Sequence, residues 1–402
     1  MGHLSKANGP RIDFSSEPPR MTEPLVWADI DLAAYARNIS ALKRLARPET
    51  QLMAVVKADA YGHGAVSLSR QALESGADFL GVARIGEALE LREAGIDAPL
   101  LIFGHTPIAL ADALIDNQLT QTVWSLETAT ALSAKAAARD RRIPVHIKAD
   151  TGMGRLGLLP GSSDAARDIQ SIASLPGLEA QGVYTHFAGA DKADKNSANR
   201  QLETFLDFIE SLRRGGLEFP LRHAANSAAL LSMPDSHLDM VRLGISTYGL
   251  LPSAEVSAGE LELDSVMQLK ARIMQLKQLP ADSPVSYGST WRTPAPTTIA
   301  TVAIGYADGL NRLLSSRGHM LVRGQRAPIV GRVCMDLTML DVEHLSGVTP
   351  GDEVVVFGRQ GDEAILASEL ADLTDTISYE VLTSITARVP RVYGGRDGVL
   401  RS

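Results

Sequence analysis

A chain of 402 residues, 45% hydrophobic and 21% charged, has the length for two or three domains and the composition of a soluble globular protein. Its formal net charge of -8 argues against a nucleic-acid partner, which would select a basic excess. One cysteine, Cys334, excludes an intramolecular disulfide and fits a reducing cytoplasm, and no segment reaches the length of a membrane span.

The opening stretch MGHLSKANGPRIDFSSEPPR lacks the apolar run of a secretory signal, so positions 1–22 read as a disordered leader or tag before the more ordinary MTEPLVWADIDL. The run LVWADIDL, within 23–35, has strand character and is expected to pair with a later domain. From Gln51 to Gly249, short apolar runs alternate with helical segments rich in Ala and Leu. The runs are QLMAVVKA, FLGVA, PLLIF, TVW, PVHIKAD, AQGVYTH, LRHAAN and DMVRLGI. Near-continuous apolar runs of this length signal parallel strands buried on both faces. The eight units predict a (β/α)8 barrel over 36–262, rather than an open sheet, because no GxGxxG turn follows an early strand. Beyond about Leu263, runs such as VMQLKARIMQLKQL, TTIATVAI and DEVVVFG, broken by Gly and Pro, predict a mainly antiparallel β domain over 263–402. The fold class is therefore α/β, a barrel followed by a β domain.

Active sites of such barrels lie at the C-terminal ends of the strands. Those ends carry Lys57 on the first strand, Lys148 and Asp150 on the fifth, His186 on the sixth, Asn226 and Ser227 on the seventh, and Arg242, Gly244 and Ile245 on the eighth. Phosphate sites in barrels form after the last two strands, where Ser227 offers a hydroxyl and a possible helix cap, and Gly244 and Ile245 offer amides. A phosphate site facing a strand-end lysine suggests pyridoxal phosphate, which a protein holds by a Lys Schiff base, a phosphate cradle and an Asp or Arg at the ring nitrogen. Arg242 is the candidate for that last role, and Tyr61 can reach the phosphate from the loop after Lys57. Taken singly, each residue has a plainer reading. Lys148 and Arg155 can form a salt network with Asp150, His186 can be a core histidine, Cys334 a small buried side chain, and His63 a turn residue with no chemistry. The His and Cys residues show no metal-ligand spacing.

The stretches AVVKADAYGHG, HIKADTGMGRLG, YTHFAGAD, HAANSAALL, VRLGISTYGL, VSYGSTW, IGYADGL and VGRVCMDLTMLDV resemble the alanine racemases, in the same order, from about Trp27 to Pro390. The resemblance implies a barrel that binds pyridoxal phosphate, a C-terminal β domain and a head-to-tail homodimer that interconverts L- and D-alanine. It implies Lys57 as cofactor lysine and one catalytic base, with Tyr287 of the partner subunit as the other. Arg242 would face the ring nitrogen, and His186 would link it to the partner's Tyr287. Tyr61, Ser227, Gly244, Ile245 and Tyr379 would hold the phosphate, with Asn226 in support. Arg155 would bind the substrate carboxylate, oriented by a carbamylated Lys148. Met335, with Cys334 and Asp336, would approach from the other subunit, and Tyr306, Arg312 and Asp336 match an access corridor. A cytoplasmic role in supplying D-alanine for peptidoglycan follows. The alternatives are a related racemase acting on serine or other small amino acids, and a non-catalytic pyridoxal-phosphate-binding barrel; the latter end after the barrel, whereas this chain continues.

Overall fold

In the computed structural model, which describes residues 24–162, 164–257, 259, 261–395 and 398–401, the chain opens with strand β1 (Val26–Asp31) and the helix Leu32–Lys43. The expected leader over 1–22 lies outside the described residues. Asp31 ends the strand and caps the helix, its carboxylate accepting from the Ala34 amide at 2.8 Å.

Eight parallel strands follow: β2 (Gln51–Val55), β3 (Phe79–Val82), β4 (Leu100–Ile102), β5 (Thr120–Val123), β6 (Ile143–Lys148), β7 (Leu178–Tyr184), β8 (Leu221–His223) and β9 (Met240–Leu243). Their ladder runs β8-β7-β6-β5-β4-β3-β2-β9. The Asp239 and Arg242 amides donate to the Arg222 and Ala225 carbonyls, which draws β9 against β8 and closes the ring. Helices cover the outside and side chains fill the inside, so β3, β4, β5 and β9 are buried at every residue. β5 carries polar residues at this depth and satisfies them locally. Gln121 donates to the Gly104 and Thr122 carbonyls and accepts from Thr106.

The eighth unit departs from the regular pattern. β9 leads into the short 3-10 turn Ile245–Tyr248, and no helix of its own follows among the described residues. Helix Leu32–Lys43 packs against this turn and against helix Ala65–Glu74, and so covers the wall that the eighth helix would have covered. Asn38, buried on that helix, donates to the Thr247 and Asp264 carbonyls and accepts from the Asp264 amide.

The remaining chain forms β10 (Met267–Leu279), the small pair β11 (Pro284–Val285) and β12 (Trp291–Arg292), then β13 (Thr297–Val302), β14 (His319–Val322), β15 (Gln325–Pro328), β16 (Thr338–Asp341), β17 (Glu353–Gln360), β18 (Glu363–Ile365) and β19 (Arg391–Gly395). The sheet runs β15-β14-β17-β10-β1-β19, mostly antiparallel, with β13 joining β10 to β16. β1 lies antiparallel to β10 and parallel to β19, so the first strand sits inside the second domain's sheet.

Candidate active site

The C-terminal rims of β2, β6, β7, β8 and β9 open into a cavity of about 480 Å³. Lys57, Tyr61, Lys148, Arg155, His186, Asn226, Ser227, Arg242, Gly244 and Ile245 all line it, and Tyr379 reaches it from the second domain. The barrel residues among them lie at the last positions of their strands, as Lys148 and Arg242 do, or in the loops that follow, where a parallel barrel releases its chain toward solvent.

Lys57 opens a single helical turn, Lys57–Gly62, whose residues Ala58, Asp59, Ala60 and Tyr61 have φ between 50° and 55°. The turn is therefore left-handed, a conformation that costs roughly 1–2 kcal/mol per non-glycine residue. Side chains from within the turn and around it hold it. Glu87 Oε1 accepts from the Ala58 amide at 2.6 Å, and Asp59 Oδ1 accepts from the Ala65 amide at 2.7 Å. His63 Nδ1–H donates to the carbonyls of Ala60 and Tyr61, each at 3.0 Å, so this histidine has a structural task. Burial pushes the Lys57 amine below its ordinary pKa, Arg155 adds to the shift and Glu87 opposes it.

Opposite, the Ser227 hydroxyl accepts from the Gly244 amide at 3.0 Å. Ser227 is not the helix cap; Asn226 caps helix Ser227–Ser232, its side chain accepting from the Ala229 amide at 3.0 Å. A Cβ on Gly244 would stand 2.5 Å from Tyr61 Oη, so any larger residue there would push the Tyr61 hydroxyl aside. Burial raises the pKa of Tyr61 and Tyr379, which keeps both phenols protonated and able to donate to an anion. A cradle of hydroxyls and a glycine, facing a depressed lysine amine, fits a phosphorylated aldehyde such as pyridoxal phosphate.

Arg242 is buried, and no carboxylate pairs with it among the described residues. It donates to Nδ1 of His223 at 2.9 Å, to Nδ1 of His186 at 3.3 Å and to the carbonyls of Thr185 and Ala224 at 2.9 Å. Its Nε–H is unpaired among the described residues. Desolvation lowers its pKa only to about 10, so it remains a cation. Because a guanidinium only donates, both histidines accept at Nδ1 and carry their protons at Nε2. His223 then donates from Nε2 to His146 Nδ1 at 2.9 Å. Burial first, and the neighbouring cations second, hold His186 and His223 well below the ordinary imidazole range. Tyr184 stacks on His223, with ring centroids 4.7 Å apart, and lies under both Lys148 and Arg242. Lys148 is pushed down to about 7, by burial and then by Arg242, with Asp150 opposing and Arg155 adding. Asp150 forms no salt network with Lys148 and Arg155; its carboxylate is taken up by backbone amides.

Tyr287, Cys334, Met335, Asp336, Tyr306 and Arg312 do not line this cavity within one chain. They gather on the second domain instead. The Ser286 hydroxyl, beside Tyr287, touches Cys334 Sγ at 3.4 Å, and the Tyr306 amide donates to the Cys334 carbonyl at 3.0 Å. Asp336 pairs with Arg388 at 2.7 Å. Tyr287 is 71% exposed and Met335 53%, large apolar side chains left open on a single chain. The sequence reading passed over His223, Tyr184 and Glu87. Strand alternation was a usable signal for Tyr184, which shares a face with His186 two residues on. Nothing local marked Glu87, which arrives from a different unit.

A family model for the alanine racemase N-terminal domain matches residues 30–252, and one for the C-terminal domain matches 266–393. An alanine racemase of Desulfosudis oleivorans is 55% identical over 380 residues, 93% of this chain and 97% of that one. The solved alanine racemase of Clostridium difficile superposes with a TM-score of 0.90 at 37% identity, covering 94% of this chain and 98% of its own. That of Bartonella henselae, solved with covalently bound pyridoxal phosphate, gives 0.83 at 28% identity, covering 92% and 100%. With both halves matched and a relative this similar over nearly its whole length, the chain belongs to the alanine racemase family.

Proposed function

We propose that the protein is a pyridoxal-phosphate-dependent racemase that interconverts L- and D-alanine. One observation carries this reading: a lysine with a depressed pKa, a glycine-tight anion cradle and an arginine, Arg155, share one cavity at the barrel rim. Lys57 would join the cofactor, Tyr61, Tyr379, Ser227, Gly244 and Ile245 would hold its phosphate with Asn226 fixing the helix start, and Arg242 would donate to its ring nitrogen. Bound pyridoxal phosphate supplies an electron sink that acidifies the Cα–H of an amino acid joined to it.

The residues divide the remaining work. Arg155 holds the substrate carboxylate. Lys57 Nζ takes or returns the Cα proton on one face, and the Tyr287 hydroxyl of the partner subunit does so on the other. Two bases on opposite faces spare either one from moving around the substrate. Arg242 stays charged and disfavours a proton on the ring nitrogen, which restrains side reactions. His186, fixed as acceptor from Arg242, has its Nε2–H left to meet the partner's Tyr287. Lys148, near pH 7 half neutral, is suited to carbamylation: its nitrogen bonds to CO2 carbon, loses a proton to water and becomes an anion beside Arg155.

The second subunit is part of the same proposal. It is supported by the exposure of Tyr287, Met335 and Tyr306 on one chain, none of which lines the cavity that holds Lys57. Met335, Cys334 and Asp336 would meet the substrate across that interface, and Tyr306, Arg312 and Asp336 would line its access corridor. We assign the barrel to 36–262, the β domain to 263–402, and β1 within 23–35 to the second sheet, supported by the pairing of β1 with β10 and β19. A cytoplasmic location and a role in supplying D-alanine for cell-wall synthesis follow the family. They are supported by a free thiol at Cys334 and by the lack, among the described residues, of a helix able to cross a membrane.

The test is chiral chromatography of the purified protein, loaded with pyridoxal phosphate, against a panel of D- and L-amino acids. L- and D-alanine should converge on one mixture, faster than serine or larger side chains do. Lys57→Ala should lose both the cofactor's visible absorbance and turnover; normal turnover by that variant would sink the assignment.

A further inference from the structure

The loop that carries Arg155 is built around one buried carboxylate. Asp150, just past β6, is 6% exposed. Its Oδ1 accepts from the amides of Gly152, Met153 and Gly154 at 3.0, 2.8 and 3.1 Å, and its Oδ2 accepts from the Arg155 amide at 3.0 Å. Consecutive amides converge on one side chain only if the backbone curls, and Gly152 and Gly154 supply φ of 136° and 68°. The return is as tight. The Asp150 amide donates to the Leu158 carbonyl and the Leu158 amide to the Lys148 carbonyl, while a Cβ on Gly157 would lie 2.5 Å from Asp150 N.

The guanidinium of Arg155 makes no hydrogen bond among the described residues, so its place in the cavity is set by its backbone. That backbone is anchored on Asp150. We propose that Asp150 is a positioning residue for the substrate carboxylate: by gathering these amides it fixes where Arg155 stands before substrate arrives. The inference rests on the reading that Arg155 binds that carboxylate. Burial acts to raise the Asp150 pKa, but the bonds from Gly152, Gly154, Met153 and Arg155 outweigh it, so the anchor stays ionised. In Asp150→Asn the side-chain amide cannot accept from both directions, and one N–H faces another. Arg155 then has to be ordered on binding.

The probe is propionate, which has alanine's carboxylate without its amine, measured by calorimetry on the holoenzyme. Asp150→Asn should raise its Kd roughly 10-fold, and raise KM for alanine by the same factor. The kcat should stay within about two-fold, since the carboxylate contact is common to ground and transition states. The cofactor absorbance should be unchanged, and amide exchange should quicken at residues 152–155. In an Arg155→Ala background the same change should add nothing. Gly154→Ala, whose Cβ has open space around it but a strained φ, should weaken propionate in the same direction. Wild-type affinity in Asp150→Asn or in Gly154→Ala would overturn the inference. So would an additive loss in the Arg155→Ala background, or a wild-type protein that binds no propionate. A wild type that binds propionate but leaves alanine unracemised would overturn the function and leave Asp150's role standing.

Discussion

At the scale of single residues, the site works by withholding partners. Arg242 is given acceptors but no carboxylate among the described residues, and Lys148 is buried beside Arg242 with only Asp150 opposing, so a strong base becomes half neutral near pH 7. A labelled-CO2 carbon NMR experiment should show a carbamate signal that grows as the pH rises through about 7, because only the unprotonated amine reacts. Lys148→Arg, charged throughout, should abolish it and raise KM for alanine. That these residues share one cavity was legible, since a lysine, a histidine and an arginine all fall at strand ends on one rim of the barrel. Their supports were not. His223 and His146 sat inside apolar runs, and their roles depend on which atom Arg242 reaches across the barrel.

At the scale of elements, the turn Lys57–Gly62 is the least predictable part. Its four residues Ala58–Tyr61 reach positive φ before the one glycine, Gly62, and alanine has no preference for it; the conformation is imposed by Glu87, Asp59 and His63. Ala58 is exposed with φ 52°. Ala58→Gly should therefore stabilise the fold by roughly 0.5–1 kcal/mol, the relieved left-handed strain less the added freedom of the unfolded chain. A urea midpoint moved upward at constant slope checks this. The barrel strands, by contrast, were readable from burial on both faces. The eighth helix was the misleading case, because the segment that fills its place lies at the other end of the chain and periodicity carries no address.

At the scale of the whole molecule, the proposed pair of bases is divided between the cavity and the surface. Tyr287 stands 71% exposed on the second domain, and it does not line the barrel cavity of the same chain that holds Lys57. Lys57→Ala and Tyr287→Ala proteins should each be nearly inactive. Mixed after reversible dissociation, they should recover activity, because a heterodimer rebuilds one intact site and leaves the other doubly disabled. Failure to recover, with heterodimers verified by mass, would place both bases in one chain. The sequence could mark Tyr287 only through family likeness, since a tyrosine beside a glycine in a turn has no chemical signature of its own.

The first strand has a consequence for how the protein holds together. β1 is threaded between β10 and β19, while the helix it leads into seals the last gap in the barrel. The amino end is thus a clasp between two bodies that would otherwise be joined by the stretch after Gly249, much of it exposed. A protease that cuts that stretch severs the chain without parting the halves. The same arrangement means that a ribosome releases the clasp before the partners on either side of it, with the barrel turn at Ile245–Tyr248 and β10 following and β19 coming last of all.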